Sequence, residues 1–199
     1  MHKILTLFVF SASFLIFTSC LSTKHRITPL SRQLIDQGKL SPERLCNYFM
    51  SQNPDAYEPI IDLLAHYYYD EAAEEGINSD VAFAQMCLET GYLTYGNLVQ
   101  PEWHNYCGLG AMDKEHPGEQ FETELMGVRA HIQHLQAYAT TEETTLNNEL
   151  IDPRYSWVHK TKFVEDIFGL AGTWATDKQY GNKIDAILEE NSNPYFSET

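Results

Sequence analysis

The sequence predicts one mainly α-helical domain that is interrupted by a single stretch rich in glycine and proline. Several segments carry apolar residues at spacings of three and four, the period of a helix with one buried face. Polar capping residues precede these segments and glycines follow them, as expected at helix ends. Between Tyr92 and Gln120 the helical pattern is lost. At 199 residues the chain has room for one domain with a full hydrophobic core.

The beginning of the chain is typical of an export signal. His2 and Lys3 precede an apolar run from Ile4 to Phe17, which is shorter than a membrane-spanning helix. The run leads into Thr18-Ser19-Cys20, which resembles the cleavage site of bacterial lipoproteins, although Phe17 stands where leucine is usual. We therefore expect a signal peptide over residues 1–19 and a lipidated Cys20 that anchors the chain in a bacterial membrane. The alternative is an ordinary secretory signal.

Four helices are expected before the glycine-rich stretch. After a polar tether over residues 20–30, the predicted helices cover Ser31–Leu40, Ser41–Met50, Pro59 to about Glu75, and a segment that begins after Asn78 and ends at Gly91. We assign residues 31–55 to a helical extension and residues 56–192 to the main domain.

The second half of the chain is expected to hold one loop region and two helices. Residues 92–120 are interpreted as a loop with a short β-hairpin, because glycine and proline recur throughout. A helix then buries a stripe made of Leu125, Val128, Ile132, Leu135 and Ala139. Residues 140–148 form a polar connection, and residues 152–154 form a turn whose charges are expected to form structural pairs rather than to act in catalysis. Asp177 caps a closing helix with the buried stripe Ile184, Ile187 and Leu188.

The helix that ends at Gly91 carries the candidate catalytic group. Glu89 is the single carboxylate in a run from Phe83 to Tyr92 that is otherwise almost entirely apolar. It lies in the last helical turn, where the helix dipole disfavours a negative charge, and apolar neighbours disfavour ionisation further. Both effects raise the pKa of Glu89, as required of a general acid that protonates a glycosidic oxygen. The alternative is a solvated residue at a helix end.

Composition excludes some functions and supports others. The formal net charge of −15 opposes binding to phosphate backbones, so we expect no nucleic-acid partner. Twelve tyrosines and three tryptophans supply rings of the kind that stack on sugar faces. Cys46, Cys87 and Cys107 allow at most one disulfide, and Cys87 is expected to be a small buried side chain. We expect no cofactor.

Two histidines were considered as metal ligands. His131 and His134 lie three residues apart on one helix face, which could hold a metal ion. A zinc site needs a third ligand in a recognisable frame, and the sequence supplies none. We therefore expect no metal, and both histidines are predicted to border a groove or to be packed and hydrogen-bonded.

Three ordered motifs resemble one enzyme family. They are Ala84-Gln85-x-x-Leu88-Glu89-Thr90-Gly91, then Asn105-Tyr106-Cys107-Gly108, then Trp174-Ala175-Thr176-Asp177-x-x-Tyr180. Together they resemble segments of the bacterial N-acetylglucosaminidases of glycoside hydrolase family 73, in the lysozyme-like superfamily. Gly127–Leu135 is similar to a stretch that recurs in a subgroup of these enzymes.

The resemblance implies a fold and a reaction. The fold would be mainly α, of the α+β lysozyme-like kind, with a glycine-rich loop or short β-hairpin lobe flanking a substrate groove. The enzyme would be an endo-β-N-acetylglucosaminidase that hydrolyses the β-1,4 bond between N-acetylglucosamine and N-acetylmuramic acid in peptidoglycan, with Glu89 as catalytic acid. The family places a second carboxylate in the hairpin, where the candidates are Glu119, Glu122 and Glu124, with Glu122 preferred. The substrate's own acetamido group is the alternative nucleophile.

The resemblance also implies a set of substrate-binding residues. They are Tyr92, Asn105, Tyr106, Gly108, His131, His134, Trp174, Asp177 and Tyr180. Asn105 offers a donor and an acceptor to an acetamido group, and Gly108 lets the backbone approach a sugar closely. Trp174 stands where the family usually has tyrosine, so we expect it to stack on a sugar.

Two other functions stay open at this point. A lytic transglycosylase shares the architecture and the single glutamate but forms an anhydro product. A non-catalytic peptidoglycan-binding lipoprotein would keep the groove without the reaction. In each case the expected partners are peptidoglycan glycan strands and a membrane that faces the cell wall, with the outer membrane favoured.

Overall fold

The computed structural model describes residues 29–96, 98–141, 144–193 and 196. The predicted signal peptide, Cys20 and most of the tether therefore lie outside the described residues. The helices are α1 (Pro42–Gln52), α2 (Glu58–Glu75), α3 (Ser79–Thr90), α4 (Glu124–Ala139), α5 (Tyr155–Thr161) and α6 (Tyr180–Asn191), with a short 3-10 helix at Pro101–Trp103. The described chain is mainly helical, as predicted.

Helix α3 is the centre of the molecule. It packs against α2 and α6 on its long sides and also contacts α1 and α4. Its start is capped by the side chain of Asn78, which accepts a hydrogen bond from the Asp80 amide at 3.1 Å. Gly91 ends the helix in the left-handed conformation, with φ +57°. Because α3 is surrounded, nearly all its side chains are buried, which confirms the prediction from its apolar sequence.

The other predicted helices form the layer around α3. Ser41 caps α1, Gly76 ends α2, and the predicted apolar stripes of α4 and α6 enter one common core. Phe83 of α3 meets Tyr68 of α2 edge to face, with ring centroids 5.8 Å apart. The core thereby fixes the position of the end of α3, where Glu89 lies.

The prediction of a helix over Ser31–Leu40 is wrong. This segment is extended, and its backbone bonds to distant parts of the chain. The Leu34 amide donates to the Glu165 carbonyl at 2.9 Å, and the Leu34 carbonyl accepts from the Asn78 amide at 2.9 Å. Arg32 also binds the Asp185 carboxylate at 2.6 Å. These long-range partners outweigh the weak local preference for helix.

The predicted β-hairpin is also absent from the described residues, which contain isolated bridges but no β-strand. The glycine-rich region instead turns back on itself through isolated backbone hydrogen bonds, such as that from the Glu119 amide to the Leu109 carbonyl at 2.8 Å. Gly127 brings α4 against this region, because a Cβ at residue 127 would lie 1.8 Å from the His104 carbonyl oxygen.

Helix α5 was not predicted from the sequence. Its seven residues follow the turn at Asp152, whose charges were expected to have a structural role. The Asp152 carboxylate contacts His134 Nδ1 at 2.7 Å, across to α4, and accepts from the Arg154 amide at 2.8 Å. Asp152 is therefore paired structurally, as expected. A long-range partner again decides the local structure.

Three features bear on the other sequence-based expectations. Cys46, Cys87 and Cys107 are all free and buried. Burial raises the pKa of each of these thiols. Within the described ranges, no helix is both long and apolar enough to cross a membrane.

Candidate active site

A cavity of about 430 Å³ opens beside the C-terminal end of α3. One wall comes from the end of α3 and the turn that follows it, and the facing wall comes from the glycine-rich region. Trp174, from the segment before α6, completes the lining. Six of the lining residues are Glu89, Tyr95, Asn105, Gly108, Ala111 and Trp174. The volume is within the range of small-molecule sites.

The turn after α3 has an unusual backbone. Tyr92, Leu93 and Tyr95 all adopt positive φ, at 54°, 58° and 47°. Side chains other than glycine rarely occupy this region, and such strain concentrates at functional sites. The strained turn directs the chain sharply away from Glu89 and leaves the end of α3 open to the cavity.

Among the described residues, hydrogen-bond donors hold the Glu89 carboxyl through one of its two oxygens. Its Oε1 accepts hydrogen bonds from Trp174 Nε1 at 3.1 Å and from the Tyr180 hydroxyl. Its Oε2 lies on the side of Gly108, 3.9 Å from the position that a Cβ on residue 108 would take. Since two donors occupy Oε1, the proton of a neutral Glu89 carboxyl belongs on Oε2, beside the cavity.

Burial raises the pKa of Glu89 above its ordinary value of 4.5. The hydrogen bonds from Tyr180 and Trp174 act in the opposite direction, because they stabilise the carboxylate, but desolvation is the larger effect. The direction agrees with the prediction from the sequence. A carboxyl with a raised pKa keeps its proton to higher pH than a solvated glutamate does.

Behind Glu89 lies a chain of buried hydrogen bonds. The Tyr180 hydroxyl, which donates to Glu89, accepts from Gln85 Nε2 at 2.8 Å. Gln85 Oε1 is 3.1 Å from His131 Nε2, and His131 Nδ1 is 2.8 Å from the Tyr68 hydroxyl. An amide oxygen can only accept, so Nε2 of His131 carries the hydrogen and Nδ1 accepts from Tyr68. In this series of hydrogen bonds, every donor therefore points toward Glu89.

His131 is neutral in this arrangement. Complete burial and, to a smaller extent, the neighbouring His134 together lower its pKa to about 3. With 0% of its surface exposed, His131 is enclosed in the core. His131 is therefore packed and hydrogen-bonded, the second of the two arrangements expected for it, and its bonds to Gln85 and Tyr68 make it part of the support behind Glu89. Its role in substrate binding stays a prediction.

Tyr180 also supports Glu89 from the core. It is 5% exposed, and its hydroxyl is shared between Glu89 and Gln85. Its expected contact with substrate stays a prediction. Burial raises its pKa well above the ordinary value of 10.0. Tyr180 thus remains a neutral donor that positions the Glu89 carboxyl.

Trp174 joins the cavity to the histidine-bearing face of α4. Its ring centroid lies 4.9 Å from that of His134 and 5.3 Å from that of Tyr138. These contacts hold the indole with its N–H toward Glu89. The remaining part of the ring lines the cavity, where it can contact a ligand.

Asn105 lines the cavity and holds the loop that carries Gly108. Its Nδ2 donates to the carbonyls of Leu109 and Glu119 at 2.9 and 3.0 Å, and its Oδ1 accepts from the Leu109 amide at 2.8 Å. These bonds fold residues 105–109 so that Gly108, at φ +66°, faces Glu89. The predicted contact of Asn105 with an acetamido group stays a prediction.

Other predicted site residues lie away from the described cavity lining. The Tyr92 hydroxyl pairs with Tyr48 at 2.9 Å, and Tyr106 is 3% exposed in the core. His134 is bound to Asp152, and Asp177 forms an exposed ion pair with Lys183 at 2.6 Å. Asp177 precedes α6 rather than capping it directly, since the cap position belongs to Gln179.

The proposed second carboxylate is not among the described lining residues. Glu122 is exposed, and Glu124 begins α4. Glu119 lies against Gly110, with its Oε1 3.1 Å from the position of a Cβ there. Glu89 is the sole acidic side chain among the described residues that line the cavity. The catalytic role of Glu122 stays a prediction.

Two supporting residues were missed by sequence reasoning. Gln85 belongs to the first motif but was given no role, and Tyr68 was interpreted only as a core residue. A polar amide four residues before Glu89 in an apolar helix is the one signal that could have identified Gln85.

A mainly helical domain with one buried carboxyl beside an open cavity is consistent with a lysozyme-like glycoside hydrolase. Residues 65–193 match the family described as mannosyl-glycoprotein endo-beta-N-acetylglucosaminidase, and the chain belongs to this glucosaminidase family. The chain is also similar to an uncharacterized protein of Borreliella burgdorferi, at 39% identity over 157 residues, which covers 79% of this chain and 76% of the relative. No solved structure matches the chain.

Proposed function

We propose that the protein hydrolyses the β-1,4 bond between N-acetylglucosamine and N-acetylmuramic acid in peptidoglycan, with Glu89 as general acid. Membership of the glucosaminidase family supports a glycan hydrolase. The observation that carries the specific proposal is the Glu89 carboxyl beside the cavity, which is bound at Oε1 by two donors and has no hydrogen-bond donor at Oε2 among the described residues.

The proton transfer follows from this geometry. Glu89 Oε2 gives its proton to the glycosidic oxygen as the bond from that oxygen to the sugar carbon breaks. The sugar carbon acquires oxocarbenium character, and Glu89 becomes a carboxylate. Trp174 and Tyr180 already donate to Oε1, so they stabilise the new charge without rearrangement.

The second half of the reaction has two candidate routes. A carboxylate such as Glu122 could activate water, or the acetamido group of the substrate could attack the sugar carbon before water does. Because Glu89 is the sole carboxylate among the described lining residues, the structure favours the acetamido route. The same observation favours a lytic transglycosylase as the second candidate function.

Digestion of purified peptidoglycan in water labelled with heavy oxygen tests the proposal. Hydrolysis should give fragments that end in a reducing N-acetylglucosamine, each with one heavy oxygen detected by mass spectrometry. An unlabelled anhydro end would show a transglycosylase. Fragments that end in reducing N-acetylmuramic acid would contradict the proposed bond. Binding without any cleavage would show a non-catalytic module.

Substitution of Trp174 tests the stacking role of its ring. Trp174→Ala should raise KM by roughly tenfold or more, by analogy with stacking of bases on aromatic side chains, and Trp174→Phe should be milder. Both variants also lose the indole N–H that donates to Glu89 Oε1, so kcat should fall in both. KM and kcat are measured on soluble glycan fragments beside melting temperature. If Trp174→Ala unfolds the domain and shows no separable binding defect, the ring serves the core alone.

The location of the protein is part of the proposal. We infer lipidation at Cys20 and a membrane that faces the cell wall, because the apolar N-terminal run ends at Ser19-Cys20. Cells fed a clickable fatty acid should label the wild-type protein and should not label Cys20→Ala. Cys46→Ala serves as the control, since Cys46 is a buried thiol of the folded domain. Equal labelling of the wild type and Cys20→Ala would rule out the lipoprotein.

A further inference from the structure

A second cavity adjoins the catalytic one across Trp174. We call it the side cavity. Its volume is about 270 Å³, and its lining includes Arg154, Trp157 and Lys162. The two cavities share the lining residues Cys107, Gly108, Ala111 and Trp174. A chain-like ligand that passes Glu89 and Trp174 can therefore extend into the side cavity.

The side cavity carries two cationic side chains around one exposed ring. The Arg154 guanidinium carbon and Lys162 Nζ each lie 5.9 Å from the centroid of the Trp157 ring, which is 55% exposed. Stacking on the ring positions both cations at the rim of the cavity. No aspartate or glutamate is among the described residues that line it.

Neither cation forms an ion pair within the part of the chain that the structure describes. Arg32 and Arg129, in contrast, bind carboxylates of this chain. The carboxylate nearest to Arg154 in sequence, Asp152, is occupied by His134 Nδ1 and by the Arg154 backbone amide. In a chain of net charge −15, two unpaired cations around a cavity favour an anionic ligand.

We propose that the side cavity binds a carboxylate carried by the N-acetylmuramic acid residue next to the cleaved bond. This inference rests on the proposed function, which supplies the glycan strand. Two parts of the strand carry such a carboxylate: the lactyl group of muramic acid once its peptide is removed, and the stem peptide while it is attached. A guanidinium and an ammonium suit either one, and the Trp157 ring covers the adjoining apolar atoms.

Kinetics and binding on soluble glycan fragments test the inference. The double variant Arg154→Gln/Lys162→Gln should raise KM on native fragments about tenfold, which is about 1.4 kcal/mol, and should leave kcat unchanged. Lys160→Gln is the matched control, because Lys160 is an exposed cation of α5 outside the described cavity lining. Melting temperatures of all variants should stay close to that of the wild type, since none of the three substituted side chains is buried and none forms an ion pair among the described residues.

Chemical removal of the ligand charge completes the test. The wild type should bind fragments whose carboxylates have been converted to neutral amides about as weakly as the double variant binds native fragments. For the double variant, amidation of the fragments should cause no further loss of affinity. Fragments without stem peptides show which carboxylate is bound. If the double variant still binds them more weakly than the wild type does, the ligand is the lactyl carboxylate. If the two proteins bind them equally well, the ligand is a carboxylate of the stem peptide.

The failures of the two proposals can be told apart. Equilibrium binding of the fragments is measured in parallel, so the charge test does not depend on turnover. A wild type that releases no reducing ends would refute the proposed function. An unchanged Kd and KM for the double variant on native fragments would refute the side-cavity inference alone.

Discussion

Glu89→Gln should lower kcat on peptidoglycan by about 100- to 10,000-fold, the range for loss of a general acid. Glutamine keeps the shape of the side chain and can still accept hydrogen bonds from Trp174 and Tyr180 at its oxygen. It has no proton to give to the glycosidic oxygen. The rate of reducing-end release, normalised to folded protein, measures the effect. Glu165→Gln is the control, because Glu165 is an exposed glutamate outside the described cavity lining.

The same variant should be at least as stable as the wild type near neutral pH. Burial raises the Glu89 pKa in the folded state, so the folded state binds the proton more tightly than the unfolded state does. Stability of the wild type therefore decreases as pH rises from the ordinary value of 4.5 through the raised pKa, and this penalty persists above it. Glutamine carries no such penalty. The difference in melting temperature should shrink below the ordinary pKa. A large loss of stability at pH 7 would instead indicate a structural role for the carboxylate.

Tyr180→Phe should impair both stability and the pH profile. The substitution removes the donor to Glu89 Oε1 and leaves Gln85 Nε2 without its acceptor. An unpaired buried polar group costs about 1–3 kcal/mol, so the melting temperature should fall. Because the Tyr180 hydrogen bond lowers the Glu89 pKa, its loss should raise that pKa further.

The direction of the resulting pH shift is specific. The protonated form of Glu89 is the active one, so kcat/KM should fall as pH rises through the Glu89 pKa. In Tyr180→Phe this fall should move to higher pH, while the maximal rate decreases. Tyr48→Phe is the matched control, since Tyr48 is a buried tyrosine bonded to Tyr92 and Glu190, away from Glu89. It should lose stability without shifting the profile. A shift in Tyr48→Phe equal to that in Tyr180→Phe would remove the positioning role of Tyr180.

The central helix and its carboxyl were predictable because their signals are local. The apolar sequence of α3 predicts burial, Asn78 and Gly91 mark its ends, and burial near a helix C-terminus predicts a raised pKa for Glu89. Each conclusion depends on residues within a few positions of one another. Pattern and capping rules describe such neighbourhoods well.

The parts that were missed depend on partners far away in the chain. Residues 31–40 are extended because Leu34 bonds to Glu165 and Asn78, and local propensity contains no information about those residues. The hydrogen bonds that link Tyr180 and His131 to Glu89 through Gln85 were also not predicted, because membership of a motif does not show which way a side chain faces. The side cavity likewise depends on α5, which the sequence did not predict.

The central claim is that Glu89 supplies the proton to the leaving oxygen. The most direct test compares two substrates of Glu89→Gln: native glycan fragments, and matching fragments in which a dinitrophenyl group replaces the leaving sugar. Dinitrophenolate leaves without protonation, so the need for a general acid disappears. We predict that Glu89→Gln loses about 100- to 10,000-fold on the native bond but stays within about tenfold of the wild type on the activated one. Equal losses on both substrates, or near wild-type cleavage of the native bond, would contradict general acid catalysis by Glu89.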